Sequence, residues 1–150
     1  MAGLVTGLGG PAGFGEGVLA RNDDASTGAI DITPVFETGL DLFGTVYTSL
    51  YVNNNGSVTF EEPRGAFTPD VITAVSENPE ITPFFADVDT RTGGVGGTEP
   101  AGLAPTPGGN STGSNLVHYD LDTAADRVVV TWDDVGFFAQ DTSRLNAFQL

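Results

Sequence analysis

A chain of 150 residues is long enough for one domain with its own hydrophobic core and short for two. Twenty acids stand against five bases, all arginines, for a formal net charge of −15, which removes the attraction that nucleic-acid phosphates require and repels anionic lipid. Cysteine is absent, which excludes a disulfide framework, a thiolate zinc site and a cysteine nucleophile, and no apolar run approaches the ~20 residues of a bilayer span, so membrane insertion is not expected.

Residues 1–17 are glycine-rich, without the basic and apolar regions of a Sec leader. A phosphate-cradling glycine loop needs a helix to open after it, and Val18-Leu19-Ala20-Arg21-Asn22-Asp23-Asp24 ends in turn formers instead. Arg21-Asn22-Asp23-Asp24 has two readings: an Asx turn leaving an edge strand, or a pair of carboxylates offering oxygen to a hard cation. Short apolar runs follow at 29–32 and 40–43, with Pro34 between them favouring an edge strand or an extended connection.

The stretch 45–60 carries the strongest local signal. Val46, Leu50 and Val52 fall on one face at strand period, and Val58 and Phe60 resume the alternation after Asn53-Asn54-Asn55-Gly56. Asn-Gly between two such runs predicts a β-hairpin with a type I′ turn at Asn55-Gly56, and Asn53 and Asn54 are expected to brace the strand end through their amides. Thr68-Pro69-Asp70 reads as a helix start, giving one short helix over 71–77 that Asn78-Pro79 stops.

At 81–91 an apolar strand runs into Asp87 and Asp89, whose spacing in an extended chain puts both carboxylates, and Arg91, on one face. Three readings compete for them: a structural Asp–Arg network, metal ligation, or the paired carboxylates of a glycoside hydrolase. Residues 92–114 form a long Gly/Pro-rich surface loop that a ligand or partner would order, with a glycosylation-type Asn110-Ser111-Thr112 inside it. Residues 116–121 and 127–132 predict a second hairpin with its turn at 122–126. His118 is the one histidine, a packed or exposed strand residue, so a catalytic triad and a zinc centre are both excluded. Asp133-Asp134 repeats the acidic pair at a strand end, 141–144 is a polar turn, and Asn146 begins another strand.

Taken in order, Asn22-Asp23-Asp24, Leu42-Phe43-Gly44, Asn53-Asn54-Asn55-Gly56-Ser57-Val58-Thr59-Phe60, Phe67-Thr68-Pro69, Ile81-Thr82-Pro83-Phe84-Phe85-Ala86-Asp87-Val88-Asp89-Thr90-Arg91 and Asn146-Ala147-Phe148-Gln149-Leu150 resemble the nidogen-like (NIDO) domain from about residue 13 onward. The resemblance implies a single all-β, sandwich-like domain over 1–150, non-enzymatic and extracellular, secreted or at the cell surface, with a further strand of the fold after Leu150. Its acidity resembles that of microbial versions in large secreted proteins that carry calcium-binding repeats and leave by a C-terminal signal. The expected role is adhesion to an extracellular matrix or cell-surface protein or a glycan. The alternatives are a calcium-stabilised domain with Asp23, Asp24, Asp87 and Asp89 on the ion, and a glycoside hydrolase using Asp87 and Asp89.

Overall fold

Valine, isoleucine, threonine and aromatic side chains dominate the segments that pair, and their branched or flat shapes suit a pleated, half-buried surface. The computed structural model describes residues 3–71, 77–92 and 103–150, and among these there are ten strands and no helix. One antiparallel sheet has the order β1-β8-β9-β10, from Gly17–Leu19, Leu116–Asp122, Arg127–Phe137 and Asp141–Gln149. A second has the order β2-β5-β6-β7, from Ile30–Asp31, Ser49–Asn53, Ser57–Thr59 and Glu80–Ile81. Leu19, Val117, Val130 and Trp132 of the first sheet meet Leu50, Val52 and Val58 of the second in one buried cluster, which makes the two sheets a sandwich. Phe148 stacks on Trp132 with ring centroids 4.8 Å apart, and the indole N–H donates to the Asn54 carbonyl at 2.9 Å, a polar tie between the sheets.

Several expected elements fall differently. The β5–β6 hairpin pairs Asn53 with Ser57, so its loop has three residues, Asn54, Asn55 and Gly56, rather than the two of a type I′ turn. Gly56 alone takes a positive φ, 93°, as in a three-residue loop closed by one left-handed residue, and a Cβ there would collide with the Phe84 carbonyl. The type I′ geometry occurs one hairpin earlier. β3 (Leu40–Leu42) and β4 (Thr45–Tyr47) form a separate two-stranded ribbon, and their turn, Phe43-Gly44, has φ values of 55° and 87°. Because β4 belongs to that ribbon and the chain changes sheet at Thr48, Val46 is exposed while Leu50 and Val52 are buried.

The strand expected over 81–91 is regular only at Glu80–Ile81. Pro83 brings no N–H to a ladder, and beyond it the backbone pairs only irregularly: the Ala86 N–H bonds the Asn55 carbonyl, the Asp89 N–H bonds the Gly136 carbonyl of β9, and Val88 forms a single bridge with Phe137. Asp133 and Asp134 lie inside β9, not at its end, with Asp134 at φ 50° marking an irregularity. The expected helix over 71–77 has residues 72–76 outside the described residues, as does the 93–102 part of the expected loop.

Candidate functional site

The asparagine loop is the hub of one end of the sandwich. Asn53, Asn54 and Asn55 are all buried, and every hydrogen bond that they make crosses to a different segment or closes the hairpin. The Asn53 amide donates to the Ser57 and Thr59 hydroxyls at 3.0 and 3.2 Å, and its oxygen accepts from the Ser26 hydroxyl at 2.7 Å and the Arg64 N–H at 3.0 Å. Asn54 donates to the carbonyls of Asp23 and Val88, both at 2.5 Å. Asn55 donates to the Asp24 carboxylate at 2.8 Å and accepts the Val88 N–H at 2.8 Å, while its backbone carbonyl accepts from the Ala86 N–H at 3.2 Å. Asx and turn chemistry is local by habit; here the same amides fix two segments far apart in the chain.

The result is a carboxylate cluster. One oxygen from each of Asp23, Asp24 and Asp87 lies within 4.8 Å of the others, with Asp24 exposed and the other two half-buried. Burial, then the neighbouring Asp89 charge, pushes the Asp23 carboxyl above its ordinary range, against the pull of Arg91. Burial, then Asp24 and Asp89, does the same to Asp87. Oδ1 of Asp23 is shielded from solvent and has no hydrogen-bond partner among the described residues. An oxygen-only set of this span fits a hard cation: oxygens on opposite sides of an ion bound at about 2.4 Å stand about 4.8 Å apart.

Asp89 is placed apart from that cluster. It is fully buried, and both of its oxygens are taken: Oδ1 accepts from the Arg91 N–H and Nε at 3.0 and 2.9 Å, and Oδ2 from Arg91 Nη2 at 2.6 Å and the Gln140 N–H at 2.9 Å. Burial acts to raise its pKa, but the Arg91 and Gln140 bonds outweigh it and hold the carboxyl below the ordinary range. The Arg91 guanidinium, held mainly by Asp89, also reaches Asp23 at 2.7 Å and so joins the buried pair to the cluster. With both oxygens of Asp89 closed by donors and Asp87 turned toward Asp23 and Asp24, the two do not face a common gap as an acid/base pair requires. Arg21 completes this end by donating to the carbonyls of Thr90, Ser114 and Asn115 at 2.7–3.0 Å.

A second set of buried contacts escaped the sequence reading. The buried carboxylates of Asp133 and Asp134 receive the loop that precedes β8. Asp133 accepts from the N–H groups of Thr112 and Ser114 at 2.8 and 3.1 Å and from the Thr112 hydroxyl. Asp134 accepts from the N–H groups of Thr106 and Gly113 at 3.0 and 2.9 Å and from the Thr106 hydroxyl. The described part of the loop, 103–114, is therefore fastened to β9 rather than loose. The signal was the repeated Asp-Asp pair opposite a loop rich in Ser and Thr. His118 is buried, with Nε2 at 3.0 Å from the Ser114 hydroxyl, and burial lowers its pKa against the field of Asp133.

This geometry meets a sequence match that covers most of it. Residues 48–150 match the nidogen-like domain (NIDO) family, including the asparagine loop, Asp87, Asp89, Arg91 and the Asp133-Asp134 pair. The chain belongs to the nidogen-like domain family. Asp23 and Asp24 precede the matched region. Drosophila melanogaster nidogen is 29% identical over 148 residues, covering 88% of this chain and 11% of that protein. Human alpha-tectorin is 31% identical over 140 residues, covering 85% of this chain and 6% of that protein, and chicken alpha-tectorin is 28% identical over 139 residues with the same coverage. The nidogen-like chain thus spans a small part of the length of these relatives. No solved structure matches it. As a nidogen-like domain the chain is a non-enzymatic extracellular module. No described helix is long and apolar enough to cross a membrane.

Proposed function

We propose that this nidogen-like domain is an adhesion module, which ties a larger secreted protein to an extracellular matrix or cell-surface protein or to a glycan. The observation that carries the reading is the family match over 48–150. The fastened segment 103–114 supports it, because a loop held by two buried carboxylates presents its side chains with little ordering cost on binding. The test is retention of the purified domain on immobilised matrix proteins and on a glycan array. Saturable retention that weakens when 103–112 is replaced by a Gly-Ser linker of equal length is expected. Retention no greater than that of an unrelated acidic β-sandwich overturns the reading.

A second reading accompanies it: a calcium ion sits on Asp23, Asp24 and Asp87 and stabilises the module. The converging oxygens and the partnerless Asp23 Oδ1 favour it. Asp89, closed by Arg91 and Gln140, contributes charge to the site rather than a ligand atom. Extracellular calcium modules bind with dissociation constants of about 10⁻⁴–10⁻³ M, so 5 mM calcium adds roughly 1–2 kcal/mol of stability. Thermal melting with and without calcium reads this as an upward shift of a few degrees; an unchanged midpoint sinks it.

A further inference from the structure

We propose that the β3–β4 hairpin is a docking finger, whose tip residue Phe43 seats in an apolar pocket with a basic rim on a partner protein. The proposal rests on the reading of this domain as an interaction module and names the chemistry of one contact. The ribbon pairs Leu40 with Tyr47, Asp41 with Val46 and Leu42 with Thr45, so its two faces are unequal. Leu40, Leu42 and Tyr47 pack against the core, whereas Asp41 and Val46 face outward, Val46 with 53% of its surface exposed. Phe43 stands at the tip with 99% exposure.

That residue is a poor choice for the fold. Its φ of 55° is left-handed, where a Cβ crowds the backbone and where glycine, asparagine and aspartate are the ordinary occupants. The turn is already braced without the ring, because the Asp41 carboxylate accepts the Gly44 N–H at 2.7 Å. A large apolar side chain that is both strained and fully in water adds nothing to stability, so its use lies outside the chain. Charge selects the kind of partner. Asp41 is exposed on the ribbon beside the tip, Glu37 is exposed just before the ribbon begins, and no basic residue occurs between Arg21 and Arg64 in a chain of net charge −15. A second copy of this chain and an anionic bilayer are both repelled by that field, and a pocket rimmed with lysine or arginine is drawn to it.

The probe is a random dodecapeptide display library panned against the folded domain, with selected peptides titrated by fluorescence anisotropy. The proposal expects peptides that combine a large apolar residue with lysine or arginine. Phe43→Asn should weaken them at least tenfold and Val46→Thr several-fold, while Phe67→Ser, also at an exposed phenylalanine, leaves them unchanged. Phe43→Asn should also melt at or above the wild-type temperature, because asparagine tolerates the left-handed turn; a lower midpoint assigns Phe43 a structural role and overturns the proposal. It is equally overturned by a library that yields no binder, by binders without basic residues, or by binders indifferent to Phe43→Asn. Partition onto phosphatidylcholine vesicles or dimerisation in the ultracentrifuge, if either is lost on Phe43→Asn, assigns the tip to a membrane or a second copy instead. Matrix or glycan retention that persists in Phe43→Asn overturns the finger and leaves the adhesion reading standing, whereas absence of any retention by the wild-type domain removes both.

Discussion

Replacing Asn54 with alanine cuts the contact that gathers the carboxylate cluster. Its amide is the donor to the carbonyls of Asp23 and Val88, and Val88 is itself buried. Truncation leaves both carbonyls without that donor in a site closed by Trp132 and the β5–β6 loop. A buried polar group left unpaired costs about 1–3 kcal/mol. The bond to Val88 is buried and that to Asp23 only part-buried, and removal of Asn54 Oδ1, partnerless among the described residues, offsets some of the loss, so the net is roughly 2–4 kcal/mol. Such a loss is a large fraction of the ~5–15 kcal/mol that holds a domain folded. For a chain of this size it corresponds to a fall in melting temperature on the order of 10 °C. The loss should also be local first: Thr90 N–H, which bonds the Asn22 carbonyl at 2.9 Å, and Asn54 N–H, which bonds the Ala25 carbonyl at 3.1 Å, should exchange with deuterium faster than the β8–β9 ladder does. Calorimetry and amide exchange read the two effects separately. A midpoint within 2 °C of wild type, or uniform loss of protection across both sheets, would refute the placement of Asn54 as the tie between residues 22–25 and 86–90.

Asp87→Asn without divalent cation should raise the melting temperature at neutral pH, because burial and the Asp24 and Asp89 charges oppose ionisation of Asp87 in the folded chain. Its folded pKa lies above the unfolded value of about 4, so the penalty is absent at lower pH and grows as pH rises through the folded pKa; the gain should vanish in melts at pH 3, and the variant should shed any calcium-dependent shift. Asp89 has the opposite sign. With a folded pKa below the unfolded one, the stability it confers is present above about pH 4 and is lost as pH falls through the folded value, so Asp89→Asn should flatten the acid limb of the pH–stability curve. Asp134→Ala should release the loop before β8, seen as faster exchange at Thr106 and Gly113 and a cost of about 1–3 kcal/mol by chemical denaturation. Trp132→Phe should cost about 1–3 kcal/mol by leaving the buried Asn54 carbonyl without the indole donor, with the stacking on Phe148 retained.

The amino-acid sequence by itself determined what depends on near neighbours and on order. Alternating β-branched residues made strands of 49–53, 57–59 and most of 116–137, glycine after asparagine marked a turn, and the succession of motifs placed the chain in its family. Asn22 makes a local turn bond wider than the Asx turn expected there, its side-chain oxygen accepting the N–H of Ala25, three residues on, at 2.7 Å. What spacing along the chain does not encode is which far segment will offer a partner. The i, i+2 pattern treated Asp87 and Asp89 as equivalent, yet one joins Asp23 and Asp24 and the other is closed by Arg91 and Gln140. The asparagines read as turn chemistry also carry the contacts that assemble the site, because burial at 0–2% exposure drives their amide N–H groups to acceptors that only the folded chain brings near, although Asn54 Oδ1 has no partner among the described residues. Phe43 shows the same division from the other side. As letters, 40–43 is a short apolar run; the register of β3 on β4 puts its last residue, Phe43, at a hairpin tip, since a one-residue difference in pairing decides which side chains face the core and which face water.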